Sequence, residues 1–437
     1  MKLKTYKIIN FLLFMYLVYI FFYQLSDIFG GGILTYFILL FPTLFIILFA
    51  LLKRNKTITK KYIKMFFCWI ILILLILVHN ASFKYGIYFD SIRFVLVTIF
   101  TMALVSFKKW DNKLLKYITV LSLVHVFSTI IFYFSNDLFK NLIMPLFEFP
   151  PVGSNNGLEG FHTGLTNHYS LNGTYCSVAV ISLGSLIMMN SIKKEKNKVI
   201  YVISFLLSLI SLLLIGKRAH LLFCLFPLFL LYYLFSPEKK SSKFFKISLA
   251  GFIVCFIIVI LIESGSPLGL TFNRFLNISS QGDISNGRFE MWNLAWKEFL
   301  NHPILGLGWN GYRYSYANNL FVAGNYAGGE YLKGYMYLDT HNVYLQILCE
   351  FGIVGFCIFI YALLFPFFKT INLIKQMIMD NKSSNKIKLL SFSFCIQTFM
   401  ILYSFTGCCI NDITFLIYML GLGIASTEIL NMKEEKI

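Results

Sequence analysis

Long apolar stretches alternate with short polar connections along nearly all of this 437-residue chain. Most stretches are long enough to cross the ~30 Å hydrocarbon core of a bilayer as a helix. Helices are expected because a polytopic chain in lipid must satisfy its backbone hydrogen bonds internally. The pattern predicts about twelve transmembrane helices, at residues 8–25, 33–52, 65–79, 87–107, 117–134, 169–190, 199–215, 219–236, 247–262, 343–368, 389–406 and 412–430.

Two polar segments are too long to be simple turns, and long structured loops often carry function. In the second one, Trp292, Ala295, Trp296 and Phe299 follow the i, i+3, i+4, i+7 spacing of an amphipathic helix lying along the outer surface. The predicted organisation is helices 1–5 in 1–134, a first external loop in 135–168, helices 6–9 in 169–262, a large external loop in 263–342, and helices 10–12 with a cytoplasmic tail in 343–437.

Composition supports the same class, because 58% of the residues are hydrophobic and only 13% are charged. Soluble domains are about 45–50% apolar and about 25% charged. A net charge of +18 could indicate nucleic-acid binding. Most lysines, however, fall in every second connection, so the positive-inside rule predicts that these connections and both termini are cytoplasmic. The chain is therefore predicted to be an all-α polytopic membrane protein with no nucleic-acid partner.

Cysteine and acidic residues point to no cofactor. The nine cysteines are scattered and form no CxxC pair, and their odd number argues against a disulfide framework. The external acids show neither a DxD nor an HExxH spacing, so no metal site is predicted. Most of these acids are interpreted as surface polar residues, and the cysteines as packing residues.

His341 lies where the large polar segment meets an apolar stretch, at a predicted membrane boundary. Histidine is the side chain whose ordinary pKa allows proton transfer near neutral pH. A helix capped by Asp339 or Thr340 would begin there and point the histidine into the bundle. The alternative is an interfacial histidine that only caps a helix. On a continuous helix, its face would also carry Leu345, Leu348, Gly352 and Gly355.

Two arginines stand on the predicted external side, against the general distribution of charge. Arg218 lies in a tight turn between two spans, and Arg288 opens the amphipathic helix, where free N–H groups favour an anion. Both are suited to binding a lipid phosphate, and the alternative for each is an ordinary solvated or snorkelling cation. Lys217 is more readily explained by snorkelling.

Weaker candidates for substrate binding are Arg93, His168 and Asn342. Arg93 is expected to pair with Asp90 in the fourth span, as charges inside a membrane usually do. His168 and His162, in the first long loop, could line a sugar site.

Three motifs follow one another between residues 160 and 365. They are Arg218-x3-Leu222, then Gly287-Arg288-x3-Trp292 with Pro303-Ile304-Leu305-Gly306-Leu307-Gly308, and then His341-Asn342-x9-Gly352-x2-Gly355.

In these motifs the chain resembles the O-antigen ligase and Wzy-type polysaccharide polymerase superfamily of bacterial envelope enzymes. The resemblance implies an inverting, metal-independent glycosyltransferase of the GT-C type without a cofactor. It implies that His341 is the general base, that Arg218 and Arg288 bind pyrophosphate, and that the site faces the exterior of a bacterial cytoplasmic membrane. Donor and acceptor would be oligosaccharides on undecaprenyl pyrophosphate, and a chain-length regulator and a flippase of the same pathway are further expected partners.

Three functions remain open. The first is a polymerase that extends capsular polysaccharide or O-antigen, which we favour because such chains are common in the corresponding gene clusters. The second is a ligase that moves finished glycan to lipid A core or another acceptor by the same chemistry. The third is a flippase or transporter, which would need charged residues along a midplane pathway.

Overall fold

The computed structural model describes residues 2–22, 44, 48, 58–81, 89–105, 113–143, 145, 162–166, 168–188, 198–263, 288–322, 339–380, 384–410 and 412–434. Its helices are α1 (Lys2–Phe22), α2 (Ile58–Val78), α3 (Phe89–Val105), α4 (Leu114–Phe134), α5 (Asn136–Leu142), α6 (Tyr169–Met188), α7 (Lys198–Ile215), α8 (Arg218–Phe235), α9 (Lys240–Glu263), α10 (Arg288–Asn301), α11 (Gly311–Val322), α12 (Val343–Met379), α13 (Ser384–Tyr403) and α14 (Ile413–Glu434).

Within these residues, seven helices are long and apolar enough to cross a membrane: α4, α6, α7, α8, α12, α13 and α14. Shorter apolar stretches in α1, α2 and α3 coincide with three more of the predicted spans, and α9 overlaps another. The second predicted span, 33–52, lies outside the described residues apart from Leu44 and Leu48. The chain is an all-α polytopic membrane protein, as its hydropathy pattern predicts.

The bundle has a central and a peripheral set of helices. In the apolar segment of α14 that is long enough to cross a membrane, all residues are buried. In the corresponding segments of α6 and α13, 83% of the residues are buried, against 33% in α7 and α8. Small residues allow the central helices to approach their neighbours. At Gly184 of α6, for example, any side chain would overlap Leu228 of α8. The outer helices expose apolar side chains, as surfaces in contact with lipid do.

Helix α12 is broken near its start, which corrects the expectation of one continuous face from His341 to Gly355. Gly352 adopts φ 61° and ψ −166°, a region occupied essentially by glycine alone. A side chain at this position would overlap the backbone carbonyl of Ile304. The glycine is therefore required for the close approach of a loop.

The approaching loop, residues 303–308, pairs with the break through its backbone. Gly306 has φ +70°, and a side chain there would overlap the backbone of Cys349 and Glu350. Backbone groups released by a break at membrane depth must find partners in the protein. The bonds run from Ile353 N–H to Pro303 O (2.9 Å), from Leu307 N–H to Cys349 O (3.0 Å) and from Gly308 N–H to Glu350 O (2.7 Å).

The end of α2 is attached to the same loop. Trp309 donates its backbone N–H to His79 O at 2.9 Å, and Ala81 donates to Trp309 O at 3.1 Å. The His79 ring lies 3.1 Å from the carbonyl oxygen of Gly306. The loop thus connects three parts of the chain that are distant in sequence: α2, the end of α10 and the start of α12.

Helix α10 begins at Arg288, as predicted, but its buried face differs from the expected stripe. Met291 and Ala295 are its buried residues, and they pack with Tyr312 and Cys349. Trp296 is 46% exposed. One apolar face of α10 therefore packs on α11 and α12, and the other is exposed. Contact of the exposed face with lipid headgroups stays a prediction.

We predict that Gly352→Ala severely destabilises the protein. The substitution forces a side chain into a glycine-only backbone region, at a cost of about 1–3 kcal/mol, and adds a clash with the carbonyl of Ile304. The measurement is the yield and apparent melting temperature of detergent-purified protein. Gly251→Ala in α9 is the control, because nothing lies within 4 Å of a side chain built there. Wild-type stability in Gly352→Ala would contradict the role given to this break.

Candidate functional site

The segment that leads into α12 is fixed to two other helices. The Arg313 guanidinium of α11 donates two hydrogen bonds to Asp339, at 2.6 Å from Nε and 2.9 Å from Nη2. The indole N–H of Trp292 in α10 donates to the carbonyl oxygen of Thr340 at 2.9 Å. The two parallel hydrogen bonds between Arg313 and Asp339 also fix the orientation of the Asp339 side chain. His341, the next residue, is therefore positioned by both helices of the second long loop.

Asn342 is the N-cap of α12, where the sequence had suggested Asp339 or Thr340. Its side-chain oxygen accepts a hydrogen bond from Leu345 N–H at 3.2 Å. The next N–H, that of Val343, donates to Ser404 O at the end of α13. His341 precedes the cap and has φ +52°, which is uncommon for a residue with a side chain. The histidine thus stands in a constrained turn before the helix.

The imidazole of His341 contacts a thiol and lies among charged groups. Its Nδ1 is 3.3 Å from Cys408 Sγ, in the connection between α13 and α14. Burial lowers the pKa of His341 below its ordinary value, and the positive charges of Arg288 and Lys217 lower it further, while Asp339 opposes this effect. The ring is therefore neutral at pH 7 and can accept a proton.

Lys217 and Arg288 form the charged part of the site. Burial lowers the pKa of the Lys217 amine to about 8, and the neighbouring charge of Arg288 contributes to this shift. In the described part of the chain, neither side chain has a carboxylate oxygen within 4.0 Å. Two like charges held close together in this way are unfavourable unless an anion binds between them. The arrangement is chemically suited to an anion with several oxygens.

His168 adds an uncharged group beside these cations. Its Nδ1 accepts a hydrogen bond from the backbone N–H of Ser170 at 3.0 Å, so the proton of the neutral ring is on Nε2. Burial, with the charges of Lys217 and His341, lowers the pKa of His168 to about 4. At neutral pH this histidine can therefore donate a hydrogen bond from Nε2 but carries no charge.

The two remaining predicted cations lie in different places. Arg218 is the first residue of α8 and follows directly after Lys217, which is the N-cap. Arg93 is buried in α3 and lies close enough to Asp412, at the start of α14, to influence that carboxyl group. The side chain of Asp90, its predicted partner, is outside the described part of the structure. Arg288 is an electrostatic neighbour of His341. Arg93 acts instead on Asp412, which lies close enough to Cys408 to raise the pKa of its thiol.

The sequence did not single out Lys217 or Cys408 as site residues. Lys217 was explained as a snorkelling lysine, and nothing local distinguishes it from one. Cys408 was interpreted as a packing residue because the cysteines are scattered and form no CxxC pair, and its contact with His341 joins distant segments. Glu350, interpreted as a boundary acid, is fully buried in α12 and lies 3.4 Å from the Gln346 amide. Only the fold brings Lys217 and Cys408 close to His341.

The region matched by a known family contains Lys217, Arg288 and His341, while His168 and Cys408 lie outside it. Residues 203–360 match a family model described as O-antigen ligase, which lies inside the 160–365 range of the resemblance noted from the motifs. No curated protein matches the chain. The match confirms the resemblance and supports membrane glycan processing of the O-antigen ligase and polymerase type.

We predict that Arg313→Ala destabilises the protein strongly. The side chain of Asp339 is only 9% exposed in its pair with Arg313. Removing one partner of a buried ion pair leaves an uncompensated charge and costs about 3–5 kcal/mol. The apparent melting temperature in detergent measures the effect. Lys246→Ala, which breaks the more exposed pair with Glu238, is the control and should change little. Equal effects of the two substitutions would contradict the anchoring role of Arg313.

Proposed function

We propose that the protein is a membrane glycosyltransferase that polymerises lipid-linked oligosaccharide repeat units, which the match of residues 203–360 to the O-antigen ligase family model supports. Donor and acceptor would both be carried on undecaprenyl pyrophosphate, and the product would be a capsular polysaccharide or an O-antigen. The site would open to the exterior of the bacterial cytoplasmic membrane, in agreement with the distribution of lysines between the connections.

One observation carries this proposal: a neutral imidazole lies among cations that have no carboxylate partner in the described residues. A diphosphate supplies the missing negative charge. A sugar attached to that diphosphate would then have its C1–O bond beside the imidazole. The same arrangement therefore offers a binding site for the leaving group and a base for the incoming group.

In the proposed reaction, His341 accepts the proton of an acceptor sugar hydroxyl as its oxygen attacks C1 of the donor. The bond between C1 and the diphosphate oxygen breaks, and its electron pair leaves with the undecaprenyl diphosphate. The new glycosidic bond forms on the opposite face, which inverts the anomeric centre. A positioned base of this kind typically accelerates a reaction about 10²–10⁴-fold.

The leaving diphosphate gains negative charge as the bond breaks, and cations placed in advance stabilise that charge. Arg288 and Arg218 are proposed to do this. An arginine can donate two parallel hydrogen bonds to phosphate oxygens, so it fixes orientation as well as charge. Arg288 is at the first position of α10, where the helix dipole also favours an anion.

The contact with Cys408 affects how His341 would act as a base. Burial holds the pKa of the Cys408 thiol well above its usual range, so the sulfur keeps its proton. If Nε2 of His341 accepts the substrate proton, its Nδ1 must already carry a proton and donate a hydrogen bond to this sulfur. Sulfur is a weak acceptor and its S–H a competing donor, so this contact favours the required tautomer less strongly than a carboxylate at Nδ1 would.

A ligase is the second candidate, since the matching family model is described as O-antigen ligase and does not separate the two activities. The two activities share their chemistry, so the acceptor must distinguish them. Purified protein should be given lipid-linked repeat units, with or without a second acceptor. A ladder of product lengths from repeat units alone supports the polymerase, and transfer of one intact glycan to the second acceptor supports the ligase. Movement of substrate across the membrane without a new bond would indicate a transporter.

We predict that His341→Ala reduces product formation about 10²–10⁴-fold, the contribution expected of a general base. Arg288→Lys and Arg218→Lys should also impair turnover severely, because a lysine keeps the charge but loses the planar fork. Product formation from lipid-linked repeat units is the measurement.

Two substitutions in or just after α10 serve as controls for the His341 and Arg288 variants. His302 is exposed after the last turn, and Lys297 is exposed on the same helix as Arg288. His302→Ala and Lys297→Met should retain near wild-type turnover. Near-normal product from His341→Ala in folded protein would end the catalytic assignment.

The pH dependence follows from the direction of the His341 shift. Burial and nearby cations lower its pKa below 6.5 in the free protein. The neutral base therefore persists below pH 6.5, and kcat/KM should fall only as the pH drops through this lowered value. Asp339→Asn removes a charge that raises the pKa, so the acid midpoint should move to still lower pH. A wild-type acid midpoint at or above 6.5 would contradict this environment for His341.

A further inference from the structure

Lys217 lies at the same site as the proposed catalytic and phosphate-binding residues, but neither the motifs nor the family match gives it a role. We propose that Lys217 is a direct ligand of the substrate diphosphate, in a subsite formed with Arg288, His168 and Tyr169. The identity of the anion as a lipid-linked diphosphate rests on the proposed function. The existence of an anion subsite rests on the geometry and charge alone.

The position of Lys217 is set by the short turn between α7 and α8, which ends at Arg218. Lysines at membrane boundaries commonly extend toward water. Here the amine instead lies 4.4 Å from the ring centroid of Tyr169, the first residue of α6. A cation over an aromatic face is stabilised by the ring quadrupole. The contact therefore holds Lys217 over the start of α6, beside His168.

Among the described residues, the charges around Lys217 have no carboxylate partner. Its electrostatic neighbours are Arg288, Cys408, His168, His220 and His341. None of these is a carboxylate, and the described residues contain no carboxylate oxygen within 4.0 Å of the amine.

Asp339 raises the pKa of His341 by its negative charge. It already accepts two hydrogen bonds from Arg313. No acid in the described part of the chain compensates Lys217 and Arg288, and a bound anion would compensate both together. A diphosphate has enough oxygens to reach both cations, whereas a single carboxylate would satisfy one of them.

The other two members give the subsite its shape. His168 is neutral and carries its proton on Nε2, because Nδ1 accepts from Ser170. It can therefore donate to a phosphate oxygen without adding charge. Tyr169 supplies an apolar wall with a negative ring face that holds the lysine. The subsite would thus combine two cations and a neutral donor, a set that favours a phosphate over a neutral sugar hydroxyl.

The lowered pKa of Lys217 makes the subsite sensitive to pH. Its value of about 8 means that the amine of the empty site is charged below pH 8 and loses its charge above it. A bound diphosphate stabilises the charged form and raises the pKa again. Binding should therefore be strongest below pH 8 and weaken by up to about tenfold per pH unit above it, because binding then requires uptake of a proton.

Acylation of lysine amines tests the subsite without requiring turnover. The full-length protein in neutral detergent is treated with an acetylating reagent at pH 8, and acetylation is followed peptide by peptide by mass spectrometry. Three arms contain inorganic pyrophosphate, undecaprenyl diphosphate and phosphatidylglycerol. Lys246, paired with Glu238 at 2.6 Å, is the internal control lysine.

We expect both diphosphates to slow acetylation of Lys217 about ten- to a hundredfold, the range for a lost or gained charged hydrogen bond, and to leave Lys246 unchanged. Absence of protection by either diphosphate would overturn the proposal. Protection by phosphatidylglycerol at equal or lower concentration would also overturn it, because Lys217 would then be a headgroup anchor.

Substitutions separate ligand binding from a structural role. Lys217→Met should raise the KM for the lipid-linked donor about ten- to a hundredfold with a smaller change in kcat. Lys217→Arg should bind well at pH 7 and lose the weakening above pH 8, because arginine stays charged. An unchanged KM and pH profile in folded Lys217→Met would overturn the proposal. If that variant does not fold, the protection experiment on the wild-type protein decides.

Failure of the subsite and failure of the proposed function give different results. Diphosphate protection of Lys217 in a protein that transfers no glycan would retain the anion subsite and reject the glycosyltransferase. Glycan transfer without protection of Lys217 would retain the enzyme and reject the role of this lysine.

Discussion

The break in α12 at Gly352 is the constraint on which the site depends. A helix interrupted at membrane depth must find other partners for its free backbone groups. The loop 303–308 provides them through backbone hydrogen bonds to residues 349–353. Because this loop directly follows α10, the pairing fixes α10 against the beginning of α12. The positions of Arg288 and His341 therefore depend on backbone bonding rather than on contacts between their own side chains.

Placing α10 in this way has an electrostatic consequence. Arg288 comes close to Lys217, which arrives from the turn between α7 and α8, and both lower the pKa of His341. Asp339, the acid that raises the pKa of His341, is bound to Arg313 and orients the histidine segment. The protein thus holds positive charge next to a neutral base. Such an arrangement is unfavourable when empty, and this links the fold directly to affinity for a multiply charged anion.

The sequence predicted the membrane class and part of the site for physical reasons. Apolar stretches of membrane length are recognisable without tertiary information, and Arg288 and His341 stand out because a cation and a titratable ring are unusual at a membrane boundary. The break at Gly352 was missed, since a glycine in an apolar run is compatible with a continuous helix. Lys217 was missed because its character depends on Tyr169 and Arg288, which only the fold brings near.

The central claim is that Lys217 and Arg288 share one diphosphate next to His341. The most direct measurement is an electron cryomicroscopy structure of the full-length protein in a lipid nanodisc with a lipid-linked diphosphate sugar. We predict diphosphate density within about 3 Å of both the Lys217 amine and the Arg288 guanidinium, with the sugar C1–O bond facing the His341 ring. A diphosphate bound elsewhere, or these side chains directed into the acyl chains, would contradict the account.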